Sequence, residues 1–133
     1  MPTPIAPSDL TWLLMDRPNN LMQVNSVMFF DALPSLRRVS AAFMERAVEK
    51  FRVLTQVPVD IDGTWHWVDD NDFSLERHVR AVQLDDTDTE TLRSYLGSQF
   101  SVAFPREHPL WEVQVISGPD PKGPGAVMTR FHH

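Results

Sequence analysis

Two adjacent histidines, His132 and His133, follow the strand-like run "AVMTRF" and hold the clearest chemical potential in the chain. An imidazole titrates near neutral pH, so a histidine at a strand end can act as a general base. The residues alone leave three readings open: a proton acceptor, two solvated polar side chains, or a remnant of cloning that leaves histidines at a terminus. Neighbours on a regular strand point to opposite faces, so the pair would not grip one ligand together. His66, His78 and His108 are isolated, and no spacing matches a zinc site. His66, between Trp65 and Trp67, reads as an amphipathic surface residue.

Other chemistries find little support. There is no Gly-x-Ser-x-Gly elbow, phosphate-binding loop or dinucleotide glycine motif. Ser98 falls in a helical pattern, which argues against a serine nucleophile. The chain has no Cys, which removes disulfides, thiolate metal ligands and cysteine nucleophiles. The acidic stretches 69–73 and 85–90 lack calcium-loop spacing and read as a turn and a helix start. A net charge of −6 disfavours sequence-independent nucleic-acid binding, which needs cations to displace counterions. No apolar run approaches the ~20 residues of a membrane-spanning helix. The opening "MPTPIAPSDL" has no secretory pattern, so a soluble cytoplasmic protein is the default expectation.

The elements that must position the histidines follow from periodicity. A helix is expected over 7–16, capped by Ser8 or Asp9. A strand is expected over 19–31, with Met22, Val24, Met28 and Phe30 on one face. The stripe Leu36, Val39, Phe43, Ala47 and Phe51, flanked by Met44 and Val48, predicts a helix over 35–51. Residues 53–68 read as a hairpin turning at Asp62-Gly63, with Pro58 placing the first arm at an edge or bending it there. Residues 75–84 read as extended. A helix is expected over 85–100, with Thr87 and Glu90 as a capping box and Leu92, Tyr95, Leu96 and Phe100 as its buried stripe. Trp111, Val113 and Val115 alternate on a strand. The loop 118–125 then turns the chain into a second strand carrying Val127, Met128 and Phe131. Those side chains either need cover from residues beyond the chain or fill its own core. Intermixed strands and helices favour a layered α/β or α+β architecture.

Four segments carry a resemblance. They are "PSDLTWLLMDRPNNLMQVNSVMFFD", "WVDDNDFSLERHVRAVQL", "HPLWEVQVISG" with Pro109-Leu110-Trp111, and "AVMTRFHH". In that order and spacing the chain resembles the bacterial wax ester synthase/diacylglycerol acyltransferase family. "AVMTRFHH" is similar to the strand entering that family's HHxxxDG motif, which favours the proton-acceptor reading of the pair.

The resemblance implies a chloramphenicol acetyltransferase-like α/β sandwich. Residues 1–133 would be the N-terminal portion of one acyltransferase domain, ending inside the motif. It implies O-acyl transfer from acyl-CoA, a co-substrate rather than a bound cofactor, to diacylglycerol or a long-chain alcohol, with no metal. His133 would be the base and His132 its support, and Pro109, Leu110 and Trp111 would lie near the acyl-CoA path. Trp111 reads equally well as a core residue on a buried strand. Arg130 reads better as a surface strand residue than as a CoA phosphate contact. The water-insoluble acceptor implies work at the periphery of a membrane or lipid inclusion. A non-catalytic lipid- or partner-binding fragment, and a condensation-type enzyme using a carrier-bound thioester, are the competing readings.

Overall fold

The computed structural model describes residues 2–17 and 21–132. In chain order its elements are β1 (Thr3–Pro4), α1 (Pro7–Met15), β2 (Gln23–Phe30), α2 (Leu36–Phe43), β3 (Gln56–Ile61), β4 (Thr64–Asp69), α3 (Leu75–His78), β5 (Val79–Gln83), α4 (Thr89–Phe100), β6 (Trp111–Ser117) and β7 (Gly125–His132). A π-helical turn, Met44–Val48, continues α2, and a 3-10 turn, Arg52–Thr55, precedes β3.

The main sheet has the strand order β2-β7-β6-β5. β6 pairs antiparallel with β7, with Trp111 opposite Phe131. β5 runs parallel to β6, and β2 runs antiparallel to β7. Trp111, Val113, Val115 and Val127 pack beneath Val39 of α2 and Val48 of the π-turn. On the other face Ile116 and Met128 pack beneath Leu92 and Leu96 of α4. Helices on both faces of a largely buried sheet make a layered α/β fold. The apolar residues of β7 are therefore covered by the chain's own helices. On the edge strand β2, Val24, Met28 and Phe29 stay 51%, 59% and 67% exposed.

A second sheet, β1-β4-β3, packs near α1 through Ile5, Leu13, Leu110 and the indoles of Trp65 and Trp67. Its hairpin turns at Asp62 and Gly63, both at positive φ (51° and 86°), the conformation a two-residue turn requires. β3, with Pro58, lies at the sheet edge as expected. At Gly125, where β7 begins, a Cβ would run into the Ile116 carbonyl and the Leu33 side chain.

Several local expectations are corrected. The N-cap of α1 is Ala6, with no side-chain cap; Pro7 at the first position fixes φ, so Ser8 and Asp9 fall inside the first turn. Ser35 caps α2 by accepting from the Arg38 amide, but Phe51 lies beyond the helix and is exposed. The cap of α4 is Asp88, which accepts from the Thr91 amide at 2.9 Å, so the box starting at Thr87 is not used. Residues 53–55 form the 3-10 turn rather than strand, and 75–78 form the short helix α3 before the chain extends. Of the strand expected over 19–31, residues 19 and 20 lie outside the described residues, and the regular part is β2.

Candidate active site

The last turn of α1, the entry to β6 and the end of β7 meet at one place. The His132 amide donates to the Leu110 carbonyl at 2.9 Å, which fixes the end of β7 against the start of β6. The His132 side chain is only 4% exposed. Its Nε2 lies 2.9 Å from Oδ2 of Asp16, the residue that ends α1. Asp16 is itself held on two sides. Its Oδ1 accepts from the Met22 amide at 2.6 Å, and its Oδ2 accepts from the Arg106 guanidinium at 3.1 Å. Arg106 also donates to the Leu13 carbonyl at 3.0 Å, tying the carboxylate to the last turn of α1.

Burial works against charge on Asp16. The Met22 amide, His132 and Arg106 outweigh it and hold the carboxyl below the usual range. An ionised carboxylate only accepts hydrogen bonds, so the Nε2 that faces it carries a proton. That nitrogen is a donor and not a base. His132 is therefore anchored through its ring and its backbone, which excludes the solvated-pair reading for this residue. His133 lies outside the described residues.

Leu110, Trp111, Phe131 and His132, with Leu13 and Trp67, line a cavity of about 190 Å³ beside this contact. Of the three residues of the Pro-Leu-Trp motif, Leu110 and Trp111 thus reach one cavity with His132. Pro109 is buried but does not line it. Trp111 is 2% exposed, and its indole N–H donates to the Leu54 carbonyl at 2.8 Å. It is a core residue that also forms a cavity wall.

Arg130 corrects the surface reading, because it is 2% exposed. Its Nε donates to Glu112 at 2.8 Å, directly opposite on β6, and its guanidinium also reaches the Val102 carbonyl at 2.7 Å and Gln23 at 3.1 Å. Phe104 lies 4.6 Å from the charge, ring centroid to guanidinium carbon. Gln114 and Tyr95 extend this network beneath α4, the tyrosine hydroxyl donating to Gln114 at 2.6 Å. Every donor direction described for this guanidinium is turned into the protein, so it does not reach out to a phosphate.

Sequence reasoning missed Asp16 and Arg106. Neither belongs to a motif with a mechanism; Arg106 meets Asp16, and Asp16 meets His132, only through tertiary folding. Ser98 donates to the Tyr95 carbonyl within α4, and His66 packs by Nδ1 against the Thr64 carbonyl, 2.9 Å away, so both are structural. Among the described residues no group of three or more histidines or carboxylates is gathered to hold a metal ion. Nor is any helix among them long and apolar enough to cross a membrane.

The architecture defines a class, the layered α/β fold, here with a buried histidine, His132, at the end of a central strand. The model of the wax ester synthase/diacylglycerol acyltransferase catalytic domain matches residues 5–133, and the chain belongs to that family. It is 35% identical over 101 residues to the probable diacylglycerol O-acyltransferase tgs1 of Mycobacterium tuberculosis H37Rv, covering 69% of this chain and 21% of that protein. It is 25% identical to the O-acyltransferase WSD of Acinetobacter baylyi, across 98% of this chain and 29% of that one. The wax ester synthase/diacylglycerol acyltransferase of Marinobacter aquaeolei VT8 superposes with a TM-score of 0.78 at 25% identity, over 98% of this chain and 33% of the other. The starter condensation domain of rhizomide synthetase superposes at 0.71 with 12% identity, over 100% and 32%, and shares the fold. The chain thus spans about a fifth to a third of the length of these relatives.

Proposed function

We propose that this chain is the N-terminal portion of an O-acyltransferase that moves a long-chain acyl group from acyl-CoA to diacylglycerol or a long-chain alcohol. The observation that carries the reading is the buried Asp16–His132 contact at the end of β7, one residue before His133, in a family whose named relatives are O-acyltransferases. His133 takes the proton of the acceptor hydroxyl. The freed oxygen attacks the thioester carbonyl, the carbon–sulfur bond breaks, and the CoA thiolate leaves and takes up the proton. No covalent enzyme intermediate is needed. General-base assistance contributes about 10²–10⁴-fold, and positioning and electrostatic stabilisation supply the rest.

His132 supports the strand end, consistent with its Nε2 being committed to Asp16. Pro109, Leu110 and Trp111 shape the substrate side, and the apolar cavity lined by Leu110 and Trp111 suits a hydrocarbon segment. The enzyme works at a membrane or inclusion surface, where its acceptor is. The test is His133→Ala in the full-length protein, assayed with labelled acyl-CoA. Transfer is abolished while the melting transition persists; near-normal turnover refutes the assignment.

One observation favours a second reading, a non-catalytic lipid- or partner-binding segment. The edge strand β2 exposes Val24 and Met28 on one face and Phe29 on the other. Vesicle or partner binding without acyl transfer by the full-length wild type would select it.

A further inference from the structure

His78, at the junction of α3 and β5, is 3% exposed and takes no part in the chemistry above. Its Nδ1 lies 2.8 Å from the Trp111 carbonyl. A carbonyl accepts only, so the proton sits on Nδ1 and the lone pair on Nε2. That Nε2 is buried and has no hydrogen-bond partner among the described residues. An unpartnered buried nitrogen costs stability, and its persistence asks for an explanation.

The ring also stands in an aromatic column. Phe73 stacks on it at 5.3 Å between centroids, and Trp111 stacks on its other side at 4.8 Å. Trp111 in turn stacks against Phe131 of β7 at 6.2 Å. The residue before Trp111 receives the His132 amide, and the residue after Phe131 is His132 itself. One imidazole therefore clamps the backbone of Trp111 and stacks on its indole, at the point where β6 holds the end of β7.

We propose that His78 is a positioning residue for the His132–His133 pair, fixing the start of β6 through the Trp111 carbonyl and the end of β7 through the Trp111–Phe131 stack. This rests on the acyl-transfer reading of the pair and goes beyond it, because His78 touches no reacting atom. A neutral Nδ1–H ring stacks between the two aromatic rings and donates to the buried carbonyl without bringing a charge into the core. Burial first, then the nearby Arg77 and His108, push its pKa down against the Trp111 carbonyl and Asp70, so the ring stays neutral at pH 7. Arg77, His108 and Asp70 are the charged or titratable groups that act on it.

Two variants of the full-length protein separate clamp from filler. His78→Phe keeps the stack and removes both the donor and the unpartnered nitrogen. His78→Asn keeps a donor near Nδ1 and loses the stack. In H78F the expected result is a retained melting transition, an unchanged KM for acyl-CoA and a kcat about 10- to 100-fold lower, the size a displacement of about 1 Å produces. H78N recovers part of that kcat despite melting lower. Wild-type kcat in H78F overturns the proposal, and so does a loss that H78N leaves wholly unrecovered. If the wild type transfers no acyl group, the acyl-transfer reading fails by itself. The clamp is then read from the His132 imidazole NMR signals, which move in H78F if His78 holds the strand end and stay in place if it does not.

Discussion

Replacing Asp16 by Asn tests how the end of β7 is held. The swap is nearly isosteric and removes one charge. Oδ1 can still accept from the Met22 amide, now 2.6 Å away, if the new amide group turns toward His132 and Arg106. It then presents N–H to two donors, at positions where Oδ2 accepted at 2.9 and 3.1 Å. Arg106 is 39% exposed and can turn to water, so its loss is small. His132 is 4% exposed and cannot. A hydrogen bond to a charged group contributes about 1.5–3 kcal/mol, and a buried donor left unpaired costs a similar amount. The expected destabilisation is about 2–3 kcal/mol, a fall of roughly 6–12 °C in Tm for a domain of this size. The sign with pH follows from the depressed Asp16 pKa. A carboxylate held below its unfolded value of 3.8 stabilises the fold fully above that value. The contribution disappears as pH falls through the lower folded value. Urea unfolding of wild type and D16N should therefore show a constant gap from pH 7 to 5 that contracts below about pH 4. Turnover should fall alongside, because His132 at the end of β7 loses its anchor. Equal stability at pH 7 with full activity would refute the anchoring argument.

Two further outcomes probe the frame beneath the site. Arg130→Met leaves the partly buried Glu112 without its main partner, with Arg80 at 3.5 Å still beside it, and should cost about 2–4 kcal/mol in chemical denaturation, whereas the double variant with Glu112→Gln should recover much of that loss. Gly125→Ala sets a methyl group against the Ile116 carbonyl and Leu33 at the start of β7, and should cost about 1–3 kcal/mol, read as a lower urea midpoint with unchanged slope.

How much of this was legible in the sequence depends on the distance over which each contact acts. The Asp62-Gly63 turn was legible because two positive φ angles are a local demand. The β6–β7 pairing was legible because period-two apolar runs on either side of a Pro- and Gly-rich loop have few alternatives. The layered fold that the family resemblance implies is the one observed, and the superpositions on relatives of that fold agree. Arg130 was misread as a surface residue for a physical reason. Glu112, Gln114 and Arg130 alternate with apolar residues, the pattern of a sheet with one wet side. Here α4 covers that side, and the polar groups satisfy one another beneath it. Periodicity reports which residues share a face. It does not report whether a helix from elsewhere in the chain will lie over that face.

The anchor of the site shows the same limit more sharply. Asp16 and His132 are separated by 116 positions, and nothing in "LLMDRP" marks its aspartate as a partner. The residues alone left the histidine pair with three meanings, and only the family resemblance favoured one. The structure adds a physical argument independent of that resemblance. A buried imidazole whose protonated Nε2 faces a carboxylate held ionised by an amide and a guanidinium is built into its fold from opposite ends of the chain. A vector-derived tail has no reason to meet a matched acceptor on the first helix. His132 is thus tied to the molecule through Asp16 before any chemistry is assigned to it, and the D16N measurement tests that tie even if the acyl-transfer reading fails.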